Sequence, residues 1–284
     1  MTIRPVRRAI QSAPTLEGAG VRLRRAFGFG DTDETDPFLL LDDLRGDRSE
    51  DYAAGFPWHP HRGIETITYV LAGSVAHADS IGNAGEIGPG DVQWMTAGRG
   101  IMHQEMPRGD AQGRMYGFQL WANLPSSAKM CAPRYQEIRS GEIPEASEGD
   151  GVVARVICGE LWGVTGPVEG IAANPAYLDV TVAAGARKAL PVDDAANAFA
   201  YVFAGTARFA GSSSPVAGDR TLVLFDSGHE VAVEAGDAGA RFLLVSGRPL
   251  REPVAWRGPI VMNTDDELRQ AFAQLQKGTF LDVR

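Results

Sequence analysis

An internal repeat restricts the folds open to this sequence of 284 residues. Three segments recur in the same order along the chain: YVLAGSV at 69–75 as YVFAGTA at 201–207, PGDVQWM at 89–95 as AGDRTLVLF at 217–225, and GFQLWANLP at 117–125 as RFLLVSGRP at 241–249. The offset between partners falls from 132 to 128 to 124 residues. The shared order indicates that one unit is duplicated, with small deletions in the second copy.

The repeated segments have the character of short β-strands. Glycine and proline, 34 and 17 in number, separate brief apolar or alternating runs, and this spacing is typical of a β-sandwich or barrel. Helical periodicity is clear in NTDDELRQAFAQLQKG, where Asn263 or Thr264 can cap a helix that ends at Gly278. The sequence therefore predicts an all-β fold with one short C-terminal helix.

The segment between the two copies is polar and rich in glycine and glutamate, as expected of a connection. We predict an N-terminal domain over residues 1–136, a linker over 137–152, and a C-terminal domain over 153–284 that includes the helix. The N-terminal domain is expected to carry the functional site, because most of the histidines lie there.

Composition argues against several classes of function. The formal net charge of −9 disfavours direct binding of nucleic acid. The N-terminus lacks the apolar run of a secretory signal, and no segment is long and apolar enough for a membrane span. We expect a cytoplasmic protein that contacts no membrane.

The first copy carries two pairs of potential metal ligands at i,i+2 spacing. His59 and His61 lie on either side of Pro60 at the start of a predicted strand, and His103 and Glu105 lie in IMHQEMP, which also has strand character. Because a strand turns alternate side chains to the same face, the members of each pair point together. Two such pairs on separate strands of a small barrel can converge on one point inside it.

Three imidazoles and one carboxylate suit Fe(II), Mn, Ni, Cu or Zn and leave positions open for water or substrate. His77, in AHADS, stands apart from these two pairs, and we interpret it as either a residue behind the ligands or a solvent-exposed one. In the second copy, the counterparts of the first pair fall near Pro191 and Asp193, where no histidine occurs, and His229 lies near the counterpart of the third histidine. We expect no metal in the second copy.

The segment HPHRGIETITYVLAGSVAHADSIGNAGEIGPGDVQWMTAGRGIMHQEMP at 59–107 closely resembles the signature of the pirin family, a branch of the cupin superfamily. DPFLLLDDL at 36–44 and PLREPVAWRGPIVMNTDDELRQAF at 249–272 are also similar to pirin segments, so the resemblance extends over nearly the whole chain. It implies two cupin barrels, each a double-stranded β-helix, placed face to face with one metal in the N-terminal barrel.

The resemblance also implies a set of ligands, namely His59, His61, His103 and Glu105. The general cupin pattern instead takes its carboxylate from a glutamate that follows the HxH pair, and Glu65 stands at a compatible spacing with the same parity. We prefer Glu105 as the ligand and expect Glu65 to orient an imidazole from behind. The implied cofactor is one divalent transition metal, first Fe(II), with Zn, Mn, Ni, Cu or Co as alternatives.

Members of this family have been described as quercetin 2,3-dioxygenases, which cleave a flavonol ring with O₂ and release carbon monoxide. The resemblance therefore implies a small aromatic substrate and O₂ as reaction partners, with Glu105 accepting the substrate's hydroxyl proton. Bulky residues beside the ligand strands are expected to line the pocket: Phe56, Trp58, Trp94 and Met95.

Pirins are also described as metal- and redox-dependent partners of transcription factors and metabolic enzymes. A regulatory binding protein without turnover is therefore the alternative function, and an enolising isomerase is a third. A positive patch at the mouth of the metal site would favour the binding role, whereas a closed apolar pocket would favour the enzyme. We expect a monomer, because a protein with two cupin barrels satisfies internally the pairing that single cupins obtain by dimerising.

Overall fold

Antiparallel β-strands dominate the computed structural model, which describes residues 1–149, 151–212 and 214–282. The strands up to residue 138 are β1 (Val6–Gln11), β2 (Ala13–Glu17), β3 (Val21–Phe27), β4 (Phe38–Asp43), β5 (Phe56–His61), β6 (Ile64–Ala72), β7 (Ser74–Asp79), β8 (Ala84–Ile87), β9 (Val92–Thr96), β10 (Ile101–Arg108), β11 (Tyr116–Asn123) and β12 (Arg134–Ile138). The later strands are β13 (Glu145–Ser147), β14 (Val152–Cys158), β15 (Glu160–Leu161), β16 (Val164–Thr165), β17 (Ala176–Val182), β18 (Arg187–Pro191), β19 (Asn197–Phe209), β20 (Val216–Ala217), β21 (Thr221–Phe225), β22 (Glu230–Gly247), β23 (Ala255–Arg257) and β24 (Ile260–Met262). The predicted all-β class is confirmed.

The predicted C-terminal helix is also confirmed. The helical segments are α1 (Thr32–Thr35), α2 (Ser49–Tyr52), the 3₁₀ turn Ser140–Glu142 and α3 (Asp265–Gln276). Thr264 rather than Asn263 caps α3: the Thr264 hydroxyl accepts from the Glu267 amide, and the Glu267 carboxylate accepts from the Thr264 amide. No helix among the described residues combines the length and apolar character needed to cross a bilayer.

Contacts divide the chain into two compact units that interleave in sequence. The first-copy unit comprises Pro14–Ser140 and Leu250–Arg284, and the second-copy unit comprises Met1–Ala13 and Gly141–Pro249. The domains predicted from the sequence are contiguous. In the structure, residues 1–13 belong with the second half of the chain, and residues 250–284 belong with the first half. By its contacts, α3 therefore belongs to the first-copy unit.

The first-copy unit contains two main sheets. A seven-stranded sheet has the order β12-β9-β6-β11-β4-β3-β2, and a four-stranded sheet has the order β5-β10-β7-β8. Side chains of β10 reach both central strands of the larger sheet, because Glu105 accepts hydrogen bonds from Thr68 on β6 and Gln119 on β11. The two sheets thus face a shared interior, and the predicted ligands lie on the smaller one.

The second-copy unit has one large sheet with the order β1-β21-β19-β22-β17-β14-β13, to which β18 and β20 add at β22 and β19. Three adjacent strands of this sheet, β21-β19-β22, correspond in the repeat to β9-β6-β11 of the first-copy unit. The same strand therefore lies between the same two neighbours in both units. The interior is hydrocarbon, with Phe209 packed edge-on against Phe225 and Phe242.

Arg62 fixes the C-terminal segment within the first-copy unit. Its side chain is 2% exposed, and its guanidinium donates to the Arg99 carbonyl (2.5 Å), Gln274 Oε1 (2.6 Å) and the Phe280 carbonyl (2.8 Å). Two of these acceptors lie in or after α3. One buried cation beside His61 therefore ties the end of the chain to the strand that carries the histidines.

Lys129 makes a second attachment of the same kind. Its ammonium group is buried and donates to the carbonyls of Gly63 (2.9 Å) and Val261 (3.0 Å) and to Asn123 Oδ1 (2.6 Å). Three N–H donors meet three acceptors, so the group is satisfied in full. The turn after β5 and the strand β24 are thereby held together.

We expect Gly63→Ala to lower the free energy of unfolding by about 3 kcal/mol or more. Gly63 has a φ of +77°, and an added Cβ would lie 1.9 Å from the Val261 carbonyl oxygen. Gly82→Ala is the control, because Gly82 has a φ of +98° with no atom within 4 Å of an added Cβ, so it carries only the backbone cost of about 1–2 kcal/mol. Equal losses in urea denaturation would contradict the predicted clash.

Candidate metal centre

Two neighbouring strands bring the predicted ligands together. Strands β5 and β10 pair antiparallel, with His103 opposite His59 and Ile101 opposite His61. The register shifts where two residues along β10, from His103 to Glu105, oppose three along β5, from His59 to Phe56, so β5 is irregular opposite the two predicted ligands of β10. Strand alternation and cross-strand pairing together gather the three imidazoles on one face.

The three imidazoles form a compact group. Their donor atoms lie within 4.8 Å of one another, and the ring centroids are 4.3 Å apart for His59 and His103, 4.8 Å for His59 and His61, and 4.9 Å for His61 and His103. Among the described residues this is the one group of three or more such side chains with metal-binding geometry. The structure thus brings together three of the four predicted ligands.

Backbone carbonyls set the orientation of two of these rings. Nδ1 of His59 lies 2.8 Å from the Pro57 carbonyl oxygen, and Nδ1 of His61 lies 3.1 Å from the Pro259 carbonyl oxygen. A carbonyl can only accept, so each Nδ1 carries the proton and each Nε2 presents a lone pair. The two Nε2 atoms are 3.0 Å apart, an unfavourable contact that a shared cation would relieve.

His103 supplies the strongest test of whether the site fits a metal. Its side chain is 0% exposed, and neither ring nitrogen has a hydrogen-bond partner among the described residues. Burial lowers the pKa of His103 well below its usual value, and burial lowers the pKa of His61 to about 3, with His59 adding to the shift. Both rings are therefore neutral at neutral pH, the form that binds a metal, and a cation would satisfy one of the two unpaired nitrogens of His103.

Glu105 lies outside the three-imidazole group. Its carboxylate is buried, with Oε1 accepting from Thr68 Oγ1 (2.9 Å) and Oε2 accepting from Gln119 Nε2 (2.8 Å). Each oxygen keeps a second lone pair, so the carboxylate can take a further partner without losing these bonds. Its place as the fourth ligand stays a prediction.

Glu65 does not have the role expected of it. It is buried on β6, and Oε1 accepts from Thr96 Oγ1 at 2.6 Å. The imidazoles of His59 and His61 are oriented by backbone carbonyls instead. The expectation that Glu65 orients an imidazole is therefore wrong.

His77 is buried behind the three-imidazole group and is not exposed to solvent. Its ring centroid lies 5.4 Å from that of His103, and its ring stacks on Tyr135 at 4.9 Å. Gln93 Nε2 lies 2.8 Å from Nδ1, and Asp79 Oδ2 lies 3.2 Å from Nε2. Of the two interpretations of His77, the structure favours a residue behind the ligands.

A cavity of about 610 Å³ opens onto His59 and His61 within the first-copy unit. Its volume is that of a pocket for a small organic ligand. Besides the two histidines, the cavity is lined by four aromatic residues and five polar or charged ones: Phe29, Phe56, Trp121, Trp256, Glu17, Arg25, Asp42, Gln119 and Arg257. It therefore offers flat apolar walls beside the imidazoles.

Of the four wall residues predicted from the sequence, one is correct. Phe56 lines the cavity, whereas Trp58 is 51% exposed and is not part of the wall, and Trp94 and Met95 are fully buried core residues. On β5, Trp58 lies between Pro57 and His59, which face the cavity, so it points to the opposite side. Phe56 shares its parity but lies beyond the register shift of β5 against β10, where regular alternation does not hold. On β9 every residue is buried, so alternation gives no guide.

Sequence reasoning missed the two tryptophans that form much of the wall. Trp121 lies two residues after Gln119 on β11, and both line the cavity. Their i,i+2 spacing was the available sign that the two side chains share a face of the strand. Trp256 comes from the hairpin of β23 and β24, in the C-terminal segment. Nothing local in the sequence connects it with His61.

The charged side of the cavity is internally compensated. Arg25 donates to both carboxylate oxygens of Asp42, at 2.8 and 2.7 Å, and its guanidinium lies 2.9 Å from Glu17 Oε1. Burial raises the pKa of Asp42 to about 6, while Arg25 opposes that shift. The guanidinium between two carboxylates leaves no unbalanced positive charge at this part of the wall.

The second-copy unit places its histidine on the surface. His229 is accessible to solvent and hydrogen-bonds Thr2 through Nδ1. The residues at the positions of the first histidine pair, Pro191 and Asp193, line a separate cavity of about 490 Å³ near the buried thiol of Cys158. These side chains do not reproduce the ligand set of the first-copy unit.

Family comparisons match both halves of the chain. Residues 20–122 match the family model described as Pirin, and residues 177–281 match the one described as Pirin C-terminal cupin domain. The first range contains β5 and β10 with the three histidines, and the second contains the repeated strands β19, β21 and β22.

Individual relatives are similar over nearly the full length. A pirin-like protein of Caulobacter vibrioides is 47% identical over 281 residues, which cover 99% of this chain and 100% of the relative. Pirin of Homo sapiens is 43% identical over 268 residues, covering 93% of this chain and 89% of the relative. A crystal structure of quercetin 2,3-dioxygenase from Acinetobacter baumannii has a TM-score of 0.88 at 31% identity, covering 98% of this chain and 99% of the other.

Proposed function

Because the chain belongs to the pirin family, we propose that it is a metal-dependent dioxygenase of the quercetin 2,3-dioxygenase type, acting on a flavonol or a similar enolisable aromatic compound. One observation supports this function above the others. Three imidazoles converge beside a cavity of about 610 Å³ with aromatic walls. The similarity to a solved quercetin 2,3-dioxygenase agrees with it.

The residues present fit a bound metal. His59, His61 and His103 would hold it, and Glu105 is the proposed fourth ligand, since it follows His103 by two residues on β10. We favour Fe(II) among Fe, Zn, Mn, Ni, Cu and Co, all of which accept imidazole and carboxylate donors. When bound, such a metal supplies Lewis-acid polarisation and a template for substrate and O₂.

The cavity wall would position a flat substrate. Trp121 and Trp256 have ring centroids 6.1 Å apart, and the Trp121 ring packs edge-on against His61 with centroids 4.9 Å apart. A planar ring that stacks against these indoles lies next to the imidazoles and displaces water from the site. Hydroxyl groups at the far end of the substrate would donate to the carboxylates of Asp42 and Glu17, which share Arg25.

Glu105 is the proposed acceptor of the substrate's hydroxyl proton. A general base needs a free lone pair and a fixed position, and Glu105 has both because Thr68 and Gln119 each occupy only one lone pair of an oxygen. Removing the proton makes the ring electron-rich and prepares it for attack by O₂. Both atoms of O₂ then enter the products, and one ring carbon leaves as carbon monoxide.

We expect metal-loaded protein to consume O₂ and release carbon monoxide in equal amounts when supplied with a flavonol. An oxygen electrode and a haemoglobin-based carbon monoxide assay measure the two gases, and protein treated with a chelator is the control. Absence of oxygen uptake with every flavonol tried, after loading with each of the six metals in turn, would contradict the proposed reaction.

The alternative, a metal- and redox-dependent regulatory partner, receives less support from the site. That role favours a positive patch at the cavity mouth, whereas the two arginines of the lining, Arg25 and Arg257, are matched by two acidic residues, Glu17 and Asp42, both bonded to Arg25. Pull-downs with ferrous and ferric protein separate the two functions. Recovery of the same proteins in equal amounts from both forms would count against a redox switch.

A further inference from the structure

A chain of hydrogen bonds links the cavity wall to Glu105. The indole Nε1 of Trp121 donates to Gln119 Oε1 at 3.2 Å, and Gln119 Nε2 donates to Glu105 Oε2 at 2.8 Å. Gln119 is 7% exposed and lines the cavity with Trp121. Two described side chains donate to Glu105, those of Gln119 and Thr68. Of these two, Gln119 lines the cavity.

The indole of Trp121 fixes the direction of both hydrogen bonds. An indole N–H can donate but cannot accept, so the atom of Gln119 that faces Trp121 must be the amide oxygen. The amide nitrogen then faces Glu105 and can only donate to it. Thr68 Oγ1 donates to the other carboxylate oxygen at 2.9 Å, so Glu105 is held at both oxygens.

We propose that Trp121 and Gln119 are positioning residues that hold the Glu105 carboxylate beside the three-imidazole group, and that they transmit contact at the cavity wall to the metal site. This inference rests on the metal site of the proposed function. The Trp121 ring also packs edge-on against His61. One side chain that would touch a flat substrate therefore contacts one proposed metal ligand, His61, directly and another, Glu105, through Gln119.

Loss of the indole N–H should therefore disturb the metal site without removing any ligand. In Trp121→Phe the aromatic ring is kept, but the amide of Gln119 is free to turn its oxygen towards Glu105. Two oxygens with negative charge density would then face each other, and Glu105 would move away. Changes behind metal ligands commonly weaken metal binding by about 10–100-fold.

Trp256→Phe is the matched control. Trp256 lines the same cavity, and its indole N–H donates to the Gly258 carbonyl at 2.8 Å, away from Glu105. Both variants lose one indole N–H and a similar part of the wall. Only Trp121→Phe breaks the chain to Glu105, so the pair separates positioning from cavity shape.

Co(II) is the probe, because its visible absorption depends on the number and geometry of its ligands. Competition with a chelator gives the affinity of the full-length protein for Co(II). We expect Trp121→Phe to weaken Co(II) binding about 10–100-fold and to change the absorption spectrum, whereas Trp256→Phe stays within about two-fold of wild type with an unchanged spectrum. Gln119→Leu should reproduce the change, and the double variant with Trp121→Phe should add nothing to it.

Unchanged affinity and spectrum in Trp121→Phe would overturn the inference, as would equal changes in both tryptophan variants or additive effects of Trp121→Phe and Gln119→Leu. If Trp121→Phe fails to fold, Gln119→Leu alone decides, because it keeps the ring. These readouts need no turnover. If the Co(II) changes are as expected but the protein takes up no oxygen with flavonols, the positioning role of Trp121 and Gln119 stands and the proposed dioxygenase function fails.

Discussion

The double variant His61→Ala, His103→Ala is expected to bind a divalent metal about 10⁴-fold more weakly than the wild-type protein and to lose all metal-dependent turnover. A four-ligand zinc site contributes about 10–16 kcal/mol, or roughly 3 kcal/mol for each ligand, so two ligands account for about 6 kcal/mol. The fold should persist, because His103 makes no hydrogen bond to any described residue and His61 loses one, to the Pro259 carbonyl.

Two measurements check this result. Elemental analysis after dialysis gives the metal bound per chain, and thermal unfolding with and without added metal reports binding to the folded state, since a ligand of the native state raises Tm. The control is His229→Ala, which removes an exposed imidazole bonded to Thr2 and should bind metal like the wild type. Full metal content in the double variant would refute the three-imidazole site.

Arg62→Met is expected to lower the free energy of unfolding of the first-copy unit by about 3–5 kcal/mol. The Arg62 guanidinium serves a buried acceptor, the Phe280 carbonyl, and two partly buried ones, at Arg99 and Gln274, and its Cζ lies 4.1 Å from the centroid of the Phe280 ring. Methionine fills part of the volume but donates no hydrogen bond. The buried Phe280 carbonyl then has no donor, which costs about 1–3 kcal/mol, and the two partly buried acceptors and the lost contact with the Phe280 ring add to this cost.

Arg269→Met tests whether the effect belongs to this arginine or to any arginine. Arg269 is on α3, its side chain is 70% exposed, and it pairs with Asp266 one turn away. Exposed pairs contribute about 0–1 kcal/mol, so the control should unfold almost like the wild type. Urea denaturation gives both free energies, and limited proteolysis should release the C-terminal segment first in Arg62→Met. Equal stability of Arg62→Met and wild type would refute its role as an anchor.

Much of the fold could be predicted because its signals are local. Gly- and Pro-punctuated strands, a repeat in constant order and a threonine cap with glutamate three residues later each depend on neighbours in sequence. The interleaving of the two units could not be predicted in this way. It depends on Arg62 and Lys129 finding acceptors in the C-terminal segment, and a buried cation gives no sequence sign of its distant partners.

The candidate site also has parts that could be predicted from the sequence and parts that could not. The three histidines follow from strand alternation, because an i,i+2 pair needs only its own strand to point together. The groups that complete the site are of another kind. The Pro259 carbonyl that orients His61 is a backbone atom, which every residue possesses, and Trp256 reaches the cavity through tertiary folding alone. Side-chain identity carries no information about either contact.

The hairpin of β23 and β24 has a consequence for how the protein is made. His61 obtains its carbonyl partner from Pro259, 198 residues later in the chain. A ribosome exposes all three histidines long before it has translated the residue that orients one of them. A cation is therefore expected to meet the three imidazoles in their final arrangement only after this hairpin has been translated.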